Sequence, residues 1–233
     1  MSDETPEAPG IEVELPALER HLLSLANIVE NAFADAIVAL MESDSMAASE
    51  AQREDYKAHQ AWLQADSMAM DLLSSGELNL KQVQFVSAGM KIALDLKVMA
   101  DEGIRISHLM SACPTDRTPP GSCTELLPEM AEMAQSMFGD SVDAFVNRDG
   151  AEAESQDLVF RELSSLHEDL VNRVNAELKS DENMPAEVAT SLVLVGRSLE
   201  IIGERALDIA RHVSHLYPSD MEEETSDLAG ETE

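Results

Sequence analysis

The chain has few aromatic residues. They make up 3% of its 233 positions, so the core must be built from Leu, Ala, Val, Ile and Met. The shortage of aromatic residues and of alternating β-branched runs favours helices over sheets. This composition predicts an all-α protein.

Cysteines are equally scarce. The two that exist, Cys113 and Cys123, lie in one Pro-rich stretch, and no CxxC pair is available for zinc or redox chemistry. A disulfide between them is one alternative. Two reduced thiols is the interpretation that we favour, because a cytosolic protein keeps such residues reduced.

Basic residues are outnumbered about three to one. The chain has 15 Lys and Arg against 46 Asp and Glu, a formal net charge of −31. Such a surface repels phosphate backbones, so nucleic-acid binding is not expected. It would attract cations or basic partner surfaces, although a generally acidic proteome would produce the same composition. Both ends are acidic without any basic residue, and we predict disordered segments at 1–15 and 218–233.

Long apolar runs are also not expected in this sequence. No stretch is expected to reach the roughly 18 apolar residues of a membrane span, and the acidic N-terminus does not resemble a secretory signal. We therefore predict no direct membrane insertion.

What the sequence does contain is helical periodicity interrupted by prolines and capping residues. Asn79 with Gln82, and Asp149 with Glu152, have capping-box spacing at predicted helix starts. These signals predict six long helices, at about 16–41, 46–74, 80–112, 124–147, 150–180 and 185–217.

The last predicted helix shows how these helices pack. Its apolar residues recur at alternating spacings of three and four, which is a heptad pattern. They are Leu192, Val195, Leu199, Ile202, Ala206, Ile209, Val213 and Leu216. A similar series runs from Phe85 to Met110. Short connections between such helices predict antiparallel three-helix bundles.

The sequence also repeats itself. The segment from Leu25 to Asp44 matches the segment from Met130 to Asp149 at a constant offset of 105 residues, and the segment around Leu96 matches that around Leu199 at an offset of 103. Two copies are too few for a solenoid. We predict a tandem duplication, with one bundle at 16–112, a Pro-rich linker at 113–123 and a second bundle at 124–217.

One acidic stripe is a candidate metal site. Glu200, Glu204 and Asp208 stand at successive i, i+4 positions, on the side of the helix away from the heptad seam. Oxygen ligands of this kind suit Mg²⁺, Ca²⁺, Mn²⁺ or ferrous iron. The alternative is a solvated face, because arginines stand three residues from the acids and would neutralise them. These are Arg197, Arg205 and Arg211.

The repeat predicts a difference between the two bundles, which are the two modules of the duplication. At the offset of 103 the acids fall on Lys97, Asp101 and Arg105, which would neutralise one another. Any bound metal is therefore predicted in the second module.

Other reactive groups give weaker signals. No Glu-x-x-His pair, Gly-rich phosphate loop, nucleophile elbow or HExxH motif is found, so no enzyme is expected. His212 and His215 are explained by the favourable field at a helix C-terminus. Trp62 is predicted in the core or between the modules.

Two segments carry a family resemblance. KIALDLKVMADEGIRI, from Lys91, and LVGRSLEIIGERALDIARHV, from Leu194, resemble the paired signature segments of the PhoU family. The matched residues are Lys91, Ile92, Ala93, Asp95, Leu96 and Asp101 in the first copy, and Leu199, Glu200, Ile202, Gly203, Ala206, Ile209 and Ala210 in the second. The resemblance extends from about 16 to 217 and includes the duplication.

The resemblance implies two adjacent three-helix bundles and a cytoplasmic regulator of phosphate uptake. It implies contact with the ATPase of a phosphate ABC transporter and with a sensor histidine kinase. It also implies metal clusters at E(D)xxxD motifs, from which this chain departs at Lys97. A homodimer is compatible with the exposed helix faces.

Three classes of function follow. The first is a non-enzymatic adaptor in phosphate signalling that requires no cofactor. The second is a metal-binding protein, or a metal-dependent enzyme, using Glu200, Glu204 and Asp208. The third is a helical scaffold of the same fold with a role unrelated to phosphate, since a fold alone does not fix a function.

Overall fold

The computed structural model describes residues 11–42, 45–111, 121–180 and 184–218. Within these ranges every regular element is a helix, as predicted. Six helices are long and one is a single turn. They are α1 (Ile11–Glu42), α2 (Ser45–Ser75), α3 (Leu80–Ser111), α4 (Gly121–Thr124), α5 (Leu126–Asn147), α6 (Glu152–Ser180) and α7 (Ala186–Leu216).

The helix bounds differ most from the predicted ones at two places. Helix α1 begins at Ile11, five residues before the predicted start, and Pro16 lies inside it. A proline this near a helix N-terminus removes a single backbone hydrogen bond. The short α4 occupies the end of the predicted 113–123 linker, whose residues 113–120 lie outside the described part of the chain.

The helices form two three-helix bundles, which we call the first module (α1–α3) and the second module (α5–α7). Within each module every helix packs against the other two. Buried apolar side chains of both modules join in one continuous core. The apolar seam predicted for α7 is confirmed, because every member from Leu192 to Val213 is buried.

The two modules meet mainly through α3 and α7, and less extensively through α1 and α5. Contacts pair Glu102 with Ser198 and Asp95 with Arg205, so the α3 and α7 axes run antiparallel. Helix α7 packs against α3, α5 and α6, which leaves little of its circumference free.

One of the two predicted capping boxes is present in the structure. Asn79 and Gln82 exchange the two side chain–backbone hydrogen bonds of a capping box, 2.8 and 3.0 Å long, as predicted. The prediction for Asp149 is wrong in detail. Its Oδ1 accepts a hydrogen bond from the backbone N–H of Ala151, one residue before Glu152 begins α6.

One correction concerns apolar length. The segment Leu15–Leu40 of α1 is long and apolar enough to cross a membrane by length and composition, contrary to the expectation that no such stretch exists. This is weak evidence for a span, since core helices pass the same test. Leu18, Leu25 and Val29 in this segment are fully buried in the first module.

Candidate functional site

The acidic stripe of α7 does not form a uniformly exposed face. Glu200 is only 6% exposed, whereas Glu204 and Asp208 are partly buried. The expectation that all three acids stand on a surface face is therefore wrong for Glu200. The reason is that α6 covers this side of α7, so the heptad seam is not the only buried face of the helix.

The Glu200 carboxylate is held by three side chains. Ser164 of α6 donates a short hydrogen bond to Oε1. His167 Nδ1, also from α6, lies 2.7 Å from Oε2, and Arg197 Nη1 lies 2.6 Å from the same oxygen. Both carboxylate oxygens are thus committed to contacts that join α6 to α7.

These partners favour the ionised form of Glu200. Burial raises the pKa of its carboxyl, but the hydrogen bonds from Ser164 and Arg197 and the positive charges of His167 and Arg197 more than offset that effect. The net result is a pKa below the ordinary value for glutamate. The group is therefore a buried anion at neutral pH.

Basic residues also engage the other two acids. Arg205 Nη1 lies 2.9 Å from Asp208, and Arg205 Nη2 lies 3.5 Å from Glu204. Arg211 Nη1 approaches Asp208 to 3.3 Å. The prediction that arginines three residues away neutralise these acids is confirmed for Asp208, and Arg197 does the same for Glu200.

This arrangement bears on the predicted metal. Among the described residues, no three His, Cys, Asp or Glu side chains gather closely enough to hold a metal ion. The oxygens of Glu200 and Asp208 already face Arg197, Arg205 and Arg211, so the side chains as placed do not fit a metal cluster. A metal at Glu200, Glu204 and Asp208 stays a prediction.

The equivalent positions of the first module carry ion pairs. Lys97 Nζ forms a short contact with Asp101, as predicted. Arg105 instead pairs with Glu102, its Nε lying 3.3 Å from the carboxylate. Asp101 therefore neutralises Lys97, and Glu102 takes its place as the partner of Arg105.

A buried polar contact joins the modules at Asp95 of α3. This residue is 6% exposed. Arg205 Nη1 lies 3.3 Å from its Oδ1, and His212 Nε2 lies 3.3 Å from its Oδ2. His212 thus has a specific partner in the other module, which the helix-end explanation did not anticipate.

A second buried contact lies further along the same interface. Ser198 Oγ donates a 2.7 Å hydrogen bond to Oε2 of Glu102. The repeat offset of 103 takes Asp95 to Ser198 and Glu102 to Arg205. The Asp95–Arg205 pair and the Glu102–Ser198 pair are therefore two copies of one contact, the relation expected in a two-fold symmetric interface.

Only some of these residues are predictable from the sequence. Asp95 matches a residue of a family segment, but nothing in its local spacing signals a partner 110 positions away. Glu102, Ser164, His167 and Ser198 were missed. Each of these side chains contacts a helix other than its own, so the periodicity of its own helix does not predict the contact.

Two minor predictions can also be located. Trp62 packs partly buried against the core of the first module, and its ring lies 5.6 Å from that of His59. Cys123 is buried at α4. Cys113 lies outside the described residues, so the state of the two thiols stays a prediction.

Comparison with known proteins agrees with the duplicated architecture. The family model described as "PhoU domain" matches the chain twice, over residues 22–110 and 127–213. One match lies within α1–α3 and the other lies within α5–α7, so each module contains one match.

Curated relatives match along most of the chain. A phosphate-specific transport system accessory protein PhoU homolog of Pseudomonas putida is 24% identical over 208 residues, 87% of this chain and 78% of the relative. The protein of the same name in Pseudomonas aeruginosa is also 24% identical over 208 residues, 87% of this chain and 83% of the relative.

Solved structures share the fold. PhoU from Pseudomonas aeruginosa superposes with a TM-score of 0.84 at 21% identity, covering 89% of this chain and 98% of that one. The phosphate transport system regulatory protein PhoU from Streptococcus pneumoniae gives 0.81 at 20% identity, covering 90% and 97%. With both halves matched by the domain model, this chain belongs to the PhoU family as a divergent member.

Proposed function

We propose that this chain is a non-enzymatic, cytoplasmic regulator of phosphate uptake and of phosphate-responsive signalling. The observation that carries the proposal is the match of both modules to the PhoU domain, together with relatives named as accessory proteins of phosphate-specific transport. In this proposal the protein acts by binding the ATPase of a phosphate ABC transporter, a sensor histidine kinase, or both.

A groove between α1 and α5 suits such an adaptor. It encloses about 390 Å³ and combines apolar side chains with acidic ones. Leu23 comes from α1, and Val142 and Val146 come from α5, while Glu30 and Asp143 supply negative charge. One wall of the groove comes from each module, so the groove exists only when the two modules are packed together. A partner helix with an apolar stripe and flanking Lys or Arg side chains is complementary to it.

A direct binding assay tests this proposal. The full chain is titrated with the purified transporter ATPase subunit and, separately, with the cytoplasmic part of the sensor kinase, at low and moderate salt. We expect saturable binding to at least one of them, weakened by salt because exposed charges contribute. Saturable binding to neither protein would count against the proposal.

A matched pair of substitutions locates the surface. Val146 is 49% exposed in the groove, and Leu158 is 68% exposed on α6. Val146→Lys removes apolar contact and repels a basic partner, so binding should weaken at least about tenfold. Leu158→Lys makes the same charge change elsewhere and should leave binding unchanged. Equal effects of both variants would exclude the groove.

The oligomeric state belongs to the same proposal. The exposed helix faces are compatible with a homodimer, and light scattering on the full chain measures its mass directly. A role unrelated to phosphate is the competing function, and a gene neighbourhood without transporter or kinase genes would favour it.

A further inference from the structure

A second concave region lies at one end of the molecule, where the two modules meet. This junction cavity has a volume of about 680 Å³ and is lined by residues from the beginnings of α1 and α3 and from the ends of α5 and α7. Cavities of several hundred cubic ångströms are the usual size of small-molecule sites. None of the acids of the α7 stripe lines it.

The cationic side chains of the junction cavity are unusual for this chain. Lys81 and Arg148 both line it, next to His215, in a protein with a net charge of −31. Neither Lys81 nor Arg148 makes an ion pair with any described residue, whereas Arg205 and Arg211 each contact two or more carboxylates. Cations left without carboxylate partners in one cavity favour an anionic ligand.

The backbone of Arg148 supplies a second, independent observation. It has φ 57° and ψ 39° at the end of α5, and it is the only non-glycine described residue with positive φ. Glycine or asparagine ordinarily occupies this left-handed position. Its backbone N–H donates a hydrogen bond to the backbone oxygen of Ala144. Its guanidinium lies 5.6 Å from the centroid of the Tyr217 ring, and this contact orients the side chain. A non-glycine residue in this region carries a cost in backbone free energy, and such residues cluster at functional sites.

The remaining walls suit an organic group better than a simple ion. Phe85 lines the cavity and stacks on Phe145, with ring centroids 6.3 Å apart, which gives a fixed apolar surface. Asn79 and Gln82 add amide groups, and Glu19 adds a carboxylate that can accept hydrogen bonds from hydroxyl or amino groups. An inorganic anion would use only the cationic part of this lining.

We propose that the junction cavity binds a small phosphate ester of nucleotide size. Lys81 and Arg148 hold the phosphate, and the nucleoside lies against Phe85 with its polar groups near Glu19 and Gln82. Arginine matches phosphate oxygens with two parallel donors, and lysine contributes a point charge.

Calorimetric titration of the full chain tests the ligand class. The probes are adenosine, guanosine, cytidine and uridine 5′-monophosphates, the corresponding nucleosides and inorganic phosphate. We expect saturable binding of at least one monophosphate, tighter than its nucleoside and tighter than inorganic phosphate. No saturation by any monophosphate up to about 1 mM would overturn the proposal. Equal affinity for inorganic phosphate would also overturn it.

Three variants connect binding to the cavity. Lys81→Gln and Arg148→Gly should each weaken the monophosphate at least about tenfold. Arg148→Gly places glycine at a left-handed position, so its thermal midpoint should be retained and lost binding cannot be attributed to unfolding. Lys91→Gln, a matched loss of charge on α3 outside the cavity, should bind like the wild type. Unchanged binding by both cavity variants would refute the assignment.

This ligand site stands apart from the proposed partner surface. The junction cavity and the α1–α5 groove have different linings, and the two assays use different probes. Failure of nucleotide binding leaves the regulatory proposal intact, and failure of partner binding leaves the cavity assignment intact.

Discussion

A Cβ atom added to Gly203 of α7 would lie 2.4 Å from Cδ2 of Leu163 in α6. The leucine therefore occupies space that only a glycine leaves open. At the repeat offset of 103, Gly203 corresponds to Ala100 of the first module, which is also buried. The second module therefore carries a smaller residue than the first at this position, because Leu163 fills the space beside it.

Gly203→Ala should therefore destabilise the fold. The clash with Leu163 costs about 1–3 kcal/mol, which exceeds the better helix propensity of alanine. Denaturant unfolding measures the difference. Gly139→Ala is the matched control because a Cβ there meets nothing within 4 Å, and it should stabilise by about 0.5–1 kcal/mol. The double variant Gly203→Ala with Leu163→Ala should restore part of the loss. Equal responses at Gly203 and Gly139 would contradict this packing.

The interface between the modules depends on Asp95. Asp95→Ala leaves Arg205 and His212 without the buried carboxylate that they share, and should cost roughly 1–3 kcal/mol in unfolding free energy. Asp101→Ala removes an exposed acid from an ion pair on the same helix and should cost less than about 1 kcal/mol. If chemical denaturation showed equal costs for the two variants, the Asp95 contact would not be a principal link between the modules.

Glu200 makes stability depend on acid pH. Because its folded pKa is lowered, its contribution is complete above the unfolded value of about 4.3 and is lost as the pH falls through the folded pKa. The wild type should therefore exceed Glu200→Gln in stability at about pH 5, and the gap should narrow as the pH falls below about 4. Urea unfolding of both proteins across this range measures it. A difference in unfolding free energy that grows as the pH falls would contradict the prediction.

The fold should not require a metal. Arg197 already neutralises Glu200, which also contacts His167, and Arg205 and Arg211 neutralise Asp208, so chelation should leave the thermal midpoint unchanged. Elemental analysis of the same preparation measures bound metal. A midpoint lowered by chelator, together with stoichiometric metal lost in Glu200→Ala with Glu204→Ala, would instead establish the predicted site in the second module.

Helix boundaries and the α7 seam were predictable because their signals are local. Prolines, capping residues and three-and-four spacing all lie within the segment that they describe. The arginine partners of Asp208 were predictable for the same reason, since they stand three residues away. The repeat added longer-range information, because it located two similar modules without any contact being known.

The burial of Glu200 could not be predicted in this way. It depends on Ser164 and His167, which stand on α6 and reach the carboxylate only after that helix packs against α7. The Asp95–Arg205 pair depends on the docking of one module on the other. Such pairings follow from tertiary packing, and an i, i+4 row of acids does not distinguish a solvated stripe from a buried anion.

Affinity purification of the tagged full chain from its own cells, grown in low and in high phosphate, tests the central claim most directly. A regulator that docks on the phosphate uptake machinery predicts that the transporter ATPase or the sensor kinase co-purifies, in amounts that change with phosphate. Recovery of neither protein under both conditions would contradict it.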